Sequence, residues 1–299
     1  MTNIGKVCLT DDFIQDHKND CSGCHACFNV CPVHAISMRA DKEGFLYPSI
    51  DEKVCIHCGL CGRVCQILNK RKPVGQIPVE TYACMNRNEE ERMKSSSGGI
   101  FILLAKYVIA QGGYVFGAAF NERMELRHTY SHTVEGCKAF MGSKYVQSRI
   151  GTSYGDAKKL LNAGKLVLFS GTPCQIHGLK LYLQREYKNL ITIDLACHGV
   201  PSPLVFARYV EELECKYQGK MEDFSFRSKE PGWKHFSSRV CFDNGKVYQR
   251  QHGYDSYMKG FLGNIDLRPR CYQCVNKGDN RYADITLGDY WGVEGKIPR

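Results

Sequence analysis

The sequence lacks the features that place a protein in a membrane or outside the cell. Its first residues carry no signal peptide, and the longest apolar run, Ile100 to Ala110, is interrupted by Lys106 and is too short to span a bilayer. It also has no basic stripe interleaved with aromatic residues, the usual mark of nucleic-acid binding. These absences predict a soluble, cytoplasmic protein with no membrane span and no nucleic-acid partner.

Cysteine, in contrast, is abundant: the 299-residue chain has 17. Because disulfides persist mainly in oxidising compartments, we expect the thiols to be reduced. The formal net charge of +9 counts every thiol as neutral, and three oxidised [4Fe-4S] clusters of about −2 each would lower it to about +3. The remaining positive charge suits an anionic cofactor or an acidic redox partner.

Eight cysteines form two runs with the same spacing, in which three lie at two-residue gaps and a fourth follows after three more residues. The two runs are Cys21, Cys24, Cys27, Cys31 and Cys55, Cys58, Cys61, Cys65. In two-cluster bacterial ferredoxins the fourth cysteine of a run binds the cluster of the other run. The spacing therefore predicts two [4Fe-4S] clusters, with the ligand sets Cys21, Cys24, Cys27, Cys65 and Cys55, Cys58, Cys61, Cys31.

The residues after the two runs differ. Pro32 follows the first run as the ferredoxin pattern requires, whereas Gln66 stands where the second proline would be. Proline shapes the exit of the chain and ligates nothing, so the match is weakened only slightly. The alternative is structural zinc, which usually takes its four ligands in two pairs and fits two identical four-cysteine runs badly.

The predicted organisation is a ferredoxin-like domain (residues 1–70), a linker (71–80) and a second domain (81–299). Between the cysteine runs, Ala35 to Arg39 and Phe45 to Ile50 read as a hairpin with Gly44 in its turn. The linker is predicted because the segment that starts at residue 70 is basic and contains two prolines.

The second domain reads as alternating strands and helices. Helices are predicted at 100–110, 154–162, 175–185 and 203–217, and strands at 81–84, 114–120, 126–130, 165–170, 190–196, 224–227, 236–242 and 246–250. The strand at 165–170 has four apolar residues in succession, which is typical of a parallel sheet buried on both faces. The segment Asp243 to Gly245 indicates a hairpin between the last two strands. The predicted fold class is α+β / α/β.

Four further cysteines lie in predicted loops. Cys174 and Cys197 follow the carboxyl ends of two buried strands, where ligands collect in open α/β sheets. Cys271 and Cys274 form a pair whose two-residue gap suits one metal centre. The four could converge on a third cluster or on zinc, which would need the same ligands. Alternatively, Cys174 and Cys197 are small buried core residues.

Residues 81–292 resemble the coenzyme F420 hydrogenase/dehydrogenase beta-subunit family, flavoproteins that exchange electrons between iron–sulfur clusters and a hydride carrier. The resemblance is carried by residues 96–100, 142–145, 171–175, 197–201, 271–274 and 284–292. It implies a mixed α/β flavin-binding domain after the ferredoxin-like domain, FAD as cofactor, and a third [4Fe-4S] cluster on Cys174, Cys197, Cys271 and Cys274. Family members usually continue well past residue 292, so we expect this chain to be either a C-terminally shortened form or a naturally short member.

A Gly-x-Gly-x-x-Gly fingerprint is absent, so no Rossmann-type flavin site is predicted. The candidate is instead the segment that opens the helix at residue 100: Ser96, Ser97, Gly98 and Gly99. Its free backbone N–H groups suit an anion or a flavin edge, and the alternative is an ordinary serine N-cap. The resemblance favours flavin. Lys144 and Tyr145 are the next candidates, because a cation stabilises reduced flavin and a tyrosine can stack on it.

These features predict an FAD-dependent iron–sulfur oxidoreductase. Ferredoxin or another acidic carrier would feed the N-terminal clusters, and hydride would pass from FAD to coenzyme F420 or to another small acceptor. The alternative is an electron-relay subunit of a larger complex, without a small substrate of its own; a homo-oligomer is compatible with both. No catalytic residue is assigned. His198 is a candidate proton relay, or else hydrogen-bonds a cluster sulfur or packs.

Overall fold

The computed structural model describes residues 7–69, 79–278 and 281–291. Residues 71–78 of the predicted linker and Gly292 of the last family segment lie outside the described residues. The described elements of the N-terminal part are α1 Asp11–Asp16, α2 Ala26–Val30, β1 Ile36–Ala40, β2 Leu46–Ile50 and α3 Leu60–Arg63.

The predicted hairpin is present between the two cysteine runs. β1 and β2 pair antiparallel, with Ile36 opposite Ile50, and Gly44 has a φ of 83° in the turn. Each cysteine run winds into a short helix, α2 or α3, that begins after a left-handed residue, His25 or Gly59. A left-handed residue turns the chain sharply, so each run curls around a centre before the helix carries it away.

The C-terminal part alternates strands and helices, as predicted. Its described elements are α4 Glu89–Lys94, α5 Ile100–Ala110, β3 Tyr114–Phe120, β4 Leu126–Ser131, α6 Val134–Cys137, α7 Ser153–Asn162, β5 Val167–Ser170, α8 Pro173–Leu183, β6 Leu190–Leu195, α9 Pro203–Tyr217, β7 Met221–Ser228, β8 Ser237–Phe242, β9 Val247–Gln251, α10 Ser256–Leu262, α11 Pro269–Tyr272 and β10 Ile285–Leu287.

The larger sheet has the strand order β10-β6-β5-β3-β4 among the described strands. Its strands are parallel except for β4, which pairs antiparallel with β3. In β5, Val167 and Phe169 pack with α7 and α8, whereas Leu168 packs with α5 on the other face. All three side chains are fully buried, as the continuous apolar run predicts.

The smaller sheet, β7-β8-β9, is antiparallel. Its inner face packs on α9 and α10 through an aromatic core that includes Phe206, Phe224, Phe226 and Tyr257. β8 and β9 are joined across Asp243 to Gly245, as predicted, and Gly245 has a φ of 77° there.

Two features of the C-terminal part differ from the sequence prediction. Residues 81–84 are not a strand, because they have no strand partner in the described part of the chain. This segment instead lies against Gly98. A Cβ on Gly98 would lie 2.8 Å from the Cys84 carbonyl oxygen. In addition, β10 was not predicted; its three residues extend the sheet only through parallel pairing with β6.

The N-terminal part is packed onto α7 and α8. Ala26 and Val64 are fully buried in the same core as Tyr154 and Ile176. Asn29 adds two hydrogen bonds, one to the turn before α7 and one to α7 itself: its Nδ2 donates to the Gly151 carbonyl (2.8 Å), and its Oδ1 accepts from the Gly155 N–H (3.2 Å). The two parts therefore share one apolar core. No described helix has the length and apolar content that crossing a membrane requires.

Candidate iron–sulfur and flavin sites

One pocket is lined by five cysteines, which are Cys8 and four that come from both runs. These four, which we call the outer set, are Cys31, Cys55, Cys58 and Cys61. The walls of this pocket come only from residues 8–61. Backbone N–H groups point at the sulfurs: Ala35 donates to Cys31 Sγ (3.2 Å) and Leu9 donates to Cys61 Sγ (3.3 Å). Such bonds stabilise thiolates and tune the potential of an iron–sulfur centre.

The remaining cysteines of the two runs lie together near the C-terminal part. This inner set consists of Cys21, Cys24, Cys27 and Cys65. Desolvation raises the pKa of Cys27 well above its usual value, and the nearby thiols of Cys24, Cys21 and Cys65, together with Cys61 of the outer set, raise it further. Desolvation likewise raises the pKa of Cys65 to about 12. Buried thiolates that face one another need a cation, and iron would supply that charge while the thiols release their protons.

A third set of cysteines is formed by residues in loops and at helix ends that are distant in the sequence. It consists of Cys174, Cys197, Cys271 and Cys274. Desolvation raises the pKa of Cys174, and the charges of the other three thiolates raise it further, so the four thiols are near neighbours. Desolvation also raises the pKa of Cys197 to about 12. All four cysteines are half-buried, so the alternative that Cys174 and Cys197 are small core residues stays open.

The spacing of the thiols fits a multi-iron centre better than a single zinc ion. Within the described ranges, only Glu52, Cys55 and His57 bring three ligand atoms within 4.8 Å of one another. Four thiolates on one zinc ion at about 2.3 Å would stand about 3.8 Å apart. Among the described residues, no three thiols of a cysteine set lie that close together.

The serine–glycine segment forms a loop that hydrogen bonds connect to two neighbouring segments. Gly99, with a φ of 75°, precedes α5, and among the described residues no side chain caps that helix, so the serine N-cap alternative does not hold. Ser96 Oγ accepts from the Ser143 N–H. Lys229 Nζ donates to the carbonyls of Arg92 (2.7 Å) and Ser97 (2.8 Å). The loop is thereby tied to the segment that contains Lys144 and to the end of β7.

Lys144 and Tyr145 lie beside this loop. Lys144 Nζ donates to the carbonyl oxygens of Met141 (2.7 Å) and Gly142 (3.3 Å). Desolvation lowers the pKa of Lys144 to about 7, although Asp223 acts in the opposite direction. A lysine has so low a pKa when too little negative charge surrounds its ammonium. An anionic ligand would supply that charge.

Sequence reasoning missed Arg227, on β7. Its side chain is 8% exposed, and its Nη1 pairs with Asp289 at 2.6 Å. Its Nε and Nη2 have no hydrogen-bond partner among the described residues. Unpaired buried donors are rare and cost about 1–3 kcal/mol each. The only sequence signal was indirect, since Asp289 lies in the family segment 284–292.

An aromatic row connects this region with the third set. His198 follows Cys197 directly, and its ring meets Phe261 edge-on at 5.0 Å between centroids. Phe261 in turn stacks on Tyr145 at 4.6 Å. His198 Nε2 lies 2.6 Å from Asn264 Oδ1, so packing and this hydrogen bond occupy the histidine that was a candidate proton relay.

The fold and the cysteine sets define an iron–sulfur protein of the electron-transfer type. Residues 20–67 match the family described as "4Fe-4S dicluster domain", and residues 164–297 match the C terminus of the beta subunit of coenzyme F420 hydrogenase/dehydrogenase. The C-terminal part thus contains a domain of the coenzyme F420 hydrogenase/dehydrogenase beta-subunit family, an oxidoreductase family, and the N-terminal part is a 4Fe-4S dicluster domain. The resemblance proposed from the sequence motifs is thus confirmed.

Two curated relatives match parts of the chain. The F subunit of the F(420)H(2) dehydrogenase of Methanosarcina mazei is 24% identical over 188 residues, 59% of this chain and 53% of the relative. An uncharacterized ferredoxin of Methanocaldococcus jannaschii is 40% identical over 67 residues, 22% of this chain and 33% of the relative. The chain therefore spans about half the length of the first relative and a third of the second.

Among solved structures, a chain of the F420-reducing [NiFe] hydrogenase complex from Methanosarcina barkeri is similar, with a TM-score of 0.44 and 18% identity. The match covers 67% of this chain and 69% of that one.

Proposed function

We propose that this protein is an FAD-dependent iron–sulfur oxidoreductase with three [4Fe-4S] clusters, one on each cysteine set. The observation that carries the proposal is the aromatic row from Cys197 through His198 and Phe261 to Tyr145. It connects the third set with the proposed flavin site by ring contacts of 5.0 and 4.6 Å. Bound flavin would supply the conversion between the single electrons of clusters and the electron pair of a hydride.

The flavin site is proposed at the serine–glycine loop, Ser96 to Gly99, together with Lys144, Tyr145 and Arg227. The backbone N–H groups of the loop and the free N–H groups of Arg227 suit the oxygens of a phosphate or of the flavin ring. When flavin binds, Lys144 gains an anionic neighbour that favours its charged form. Tyr145 offers a ring already held by Phe261.

Coenzyme F420 is the small acceptor or donor that we propose, and ferredoxin or another acidic carrier is the proposed electron partner. The family match and the name of the Methanosarcina mazei relative, an F(420)H(2) dehydrogenase, support the first choice. The net positive charge of the chain supports the second, because it would speed the approach of an acidic carrier.

A second candidate function is that of an electron-relay subunit without its own small substrate. It is supported by the name of the same relative, which is one subunit of a larger dehydrogenase. Reduction of coenzyme F420 by the isolated, reconstituted protein with reduced ferredoxin would favour the enzyme. Cluster reduction without any F420 turnover would favour the relay.

Cofactor content tests the proposal directly. Anaerobically reconstituted protein should hold about twelve iron atoms and one releasable FAD per chain. Cys271→Ser should lower the iron content to about eight, because it removes one ligand of the third set only. Cys215→Ser, which changes an exposed cysteine outside the three sets, should leave the iron unchanged. Eight iron atoms in the wild type, or no FAD uptake, would contradict the proposal.

A further inference from the structure

Gln66 is the one clear departure of the two cysteine runs from the ferredoxin pattern, and the structure assigns it a contact that proline could not make. Its side chain leaves the N-terminal part, and its Nε2 donates to the Cys174 carbonyl at 2.7 Å. Its Oε1 accepts from Asn276 Nδ2 at 3.2 Å. Gln66 thus joins Cys65 of the inner set, through the peptide bond, to Cys174 of the third set.

The partners of Gln66 are themselves held rigidly. Asn276 is 2% exposed, and its Oδ1 lies 3.0 Å from Nδ1 of His177, which is 3% exposed. His177 stacks on Tyr282 with ring centroids 3.8 Å apart. On the other side, Asn69 Nδ2 donates to the Cys65 carbonyl at 3.0 Å. The link from Cys65 to Cys174 is therefore an ordered path and not a chance surface contact.

The packing of α8 brings the same two cysteine sets together. Cys174 is the second residue of α8, and Gly178 lies four residues later on the same helix face. A Cβ on Gly178 would lie 2.9 Å from Cβ and 3.0 Å from Sγ of Cys24, a member of the inner set. Cys24 therefore meets α8 only about 6 Å along the helix axis from Cys174.

In the part of the chain that the structure describes, the outer set has no such connection. Its pocket is lined only by residues of the N-terminal part, and the residue after Cys31 is Pro32, as in the ferredoxin pattern. Beside this pocket, Val54 and Ile56 are 44% and 59% exposed. The proline is thus kept next to the set that faces solvent and is replaced by glutamine next to the set that faces the C-terminal part.

We propose that Gln66 is the bridge for electrons between the inner set and the third set, so that electrons pass from the outer set to the inner set and then to Cys174. This inference rests on the proposed third cluster. In the step across the bridge, the cluster on the inner set is oxidised by one electron and the cluster on the third set is reduced by one. No bond breaks and no proton moves. Gln66 is a positioning residue, since it touches neither flavin nor substrate.

Gln66→Leu tests the bridge, because leucine has similar bulk and forms neither hydrogen bond. Gln147→Leu is the matched control: Gln147 also connects the two parts, with its Nε2 donating to the Ser22 carbonyl (3.1 Å) and its Oε1 accepting from Arg268 (2.9 Å). Gln147 contacts no cysteine of the third set directly and reaches that set only through Arg268, whose carbonyl accepts from the Cys271 N–H at 2.8 Å. A role in domain packing alone predicts similar effects of the two changes, whereas a bridge predicts an effect of Gln66→Leu only.

The measurement is freeze-quench EPR after the reconstituted full chain is mixed with one electron equivalent of titanium(III) citrate. The signal of the third cluster is identified by its loss in Cys271→Ser. In Gln66→Leu, reduction of the third cluster should slow by at least about tenfold, which corresponds to about 1.4 kcal/mol of activation free energy. In Gln147→Leu the rate should stay within about twofold of wild type, less than about 0.5 kcal/mol by the same relation.

A second sample, reduced with excess titanium(III) citrate so that both clusters carry an electron, separates a bridge from a structural role, because the magnetic broadening between two reduced clusters depends on the distance between them. In Gln66→Leu the broadening should equal that of the wild type while the rate falls. An unchanged rate, or a slower rate with weakened broadening, would overturn the bridge. Eight iron atoms per wild-type chain would instead remove the third cluster, and with it both the proposed function and this inference.

Discussion

The charge of Lys144 depends on what binds beside it. Desolvation lowers the pKa of Lys144 to about 7, while its ammonium donates only to two backbone carbonyls. An anionic flavin at the serine–glycine loop would favour the charged form and raise that pKa. Between pH 7 and the higher pKa of the complex, binding therefore takes up a proton, and affinity must fall as the pH rises.

The first prediction at this scale follows from that linkage. The Kd for FAD should rise with pH above about 7, by up to about tenfold per pH unit while one proton is taken up. Lys144→Met should bind more weakly at pH 7 and show a flat profile. Lys159→Met, at an exposed lysine of α7, should retain the wild-type profile. Quenching of flavin fluorescence between pH 6.5 and 9 measures this dependence, and an equal slope in Lys144→Met would exclude the lysine from the site.

At the scale of elements, α8 connects the larger sheet with the inner cysteine set. It begins with a Thr172–Gln175 capping box and a proline in the first turn, which positions Cys174 directly after β5. Farther along, Gly178 allows the N-terminal part to approach closely. A Cβ there would lie 2.9 Å from Cys24 Cβ and 3.1 Å from Tyr154 Oη.

Gly178→Ala should therefore destabilise the protein, although alanine in a helix is usually favoured over glycine by about 1 kcal/mol. We expect a lower unfolding midpoint and faster loss of iron to a chelator, because the Cys24 loop must shift. Gly260→Ala in α10 is the control, since nothing lies within 4 Å of a Cβ at that position. It should be neutral or stabilising by up to about 1 kcal/mol. A stabilised Gly178→Ala would contradict the close packing.

At the scale of the whole molecule, Arg268 joins the first cysteine run to the loop that precedes Cys271. It is 1% exposed and donates to the carbonyls of Cys21 (2.8 Å) and Leu46 (3.0 Å) and to Gln147 Oε1 (2.9 Å). Its guanidinium also lies over the Tyr47 ring at 4.3 Å. Together with the shared core around α7 and α8, these bonds make the two parts one folding unit.

Arg268→Met should cost about 3 kcal/mol or more of stability, because it removes three hydrogen bonds from a buried guanidinium to partly buried acceptors, and hydrogen bonds to charged groups contribute about 1.5–3 kcal/mol each. The cost should appear in both parts at once. Denaturant unfolding, followed by cluster absorption and by far-UV circular dichroism, should give coincident midpoints in the wild type and a common shift in the variant. Arg208→Met, at an exposed ion pair on α9, should change stability by less than about 1 kcal/mol. Two separate transitions would show that the parts fold independently.

The sequence by itself determined the features that depend on neighbouring residues. The spacing of the cysteine runs, the hairpin with Gly44, and the helices Ile100–Ala110 and Pro203–Tyr217 could be predicted because turns, caps and periodicity act over a few residues. The motifs also predicted the family, which the comparisons confirmed. The ligand sets stay a prediction that the grouping of the thiols supports.

Only the tertiary structure decided which distant residues meet. The predicted strand at 81–84 was wrong and β10 was missed, because a strand exists only where another strand pairs with it. Gln66 reaches Cys174 across 108 residues, and Arg268 reaches Cys21 across 247. No local pattern encodes such contacts, since they arise when separate apolar faces pack together and buried polar groups must then find partners.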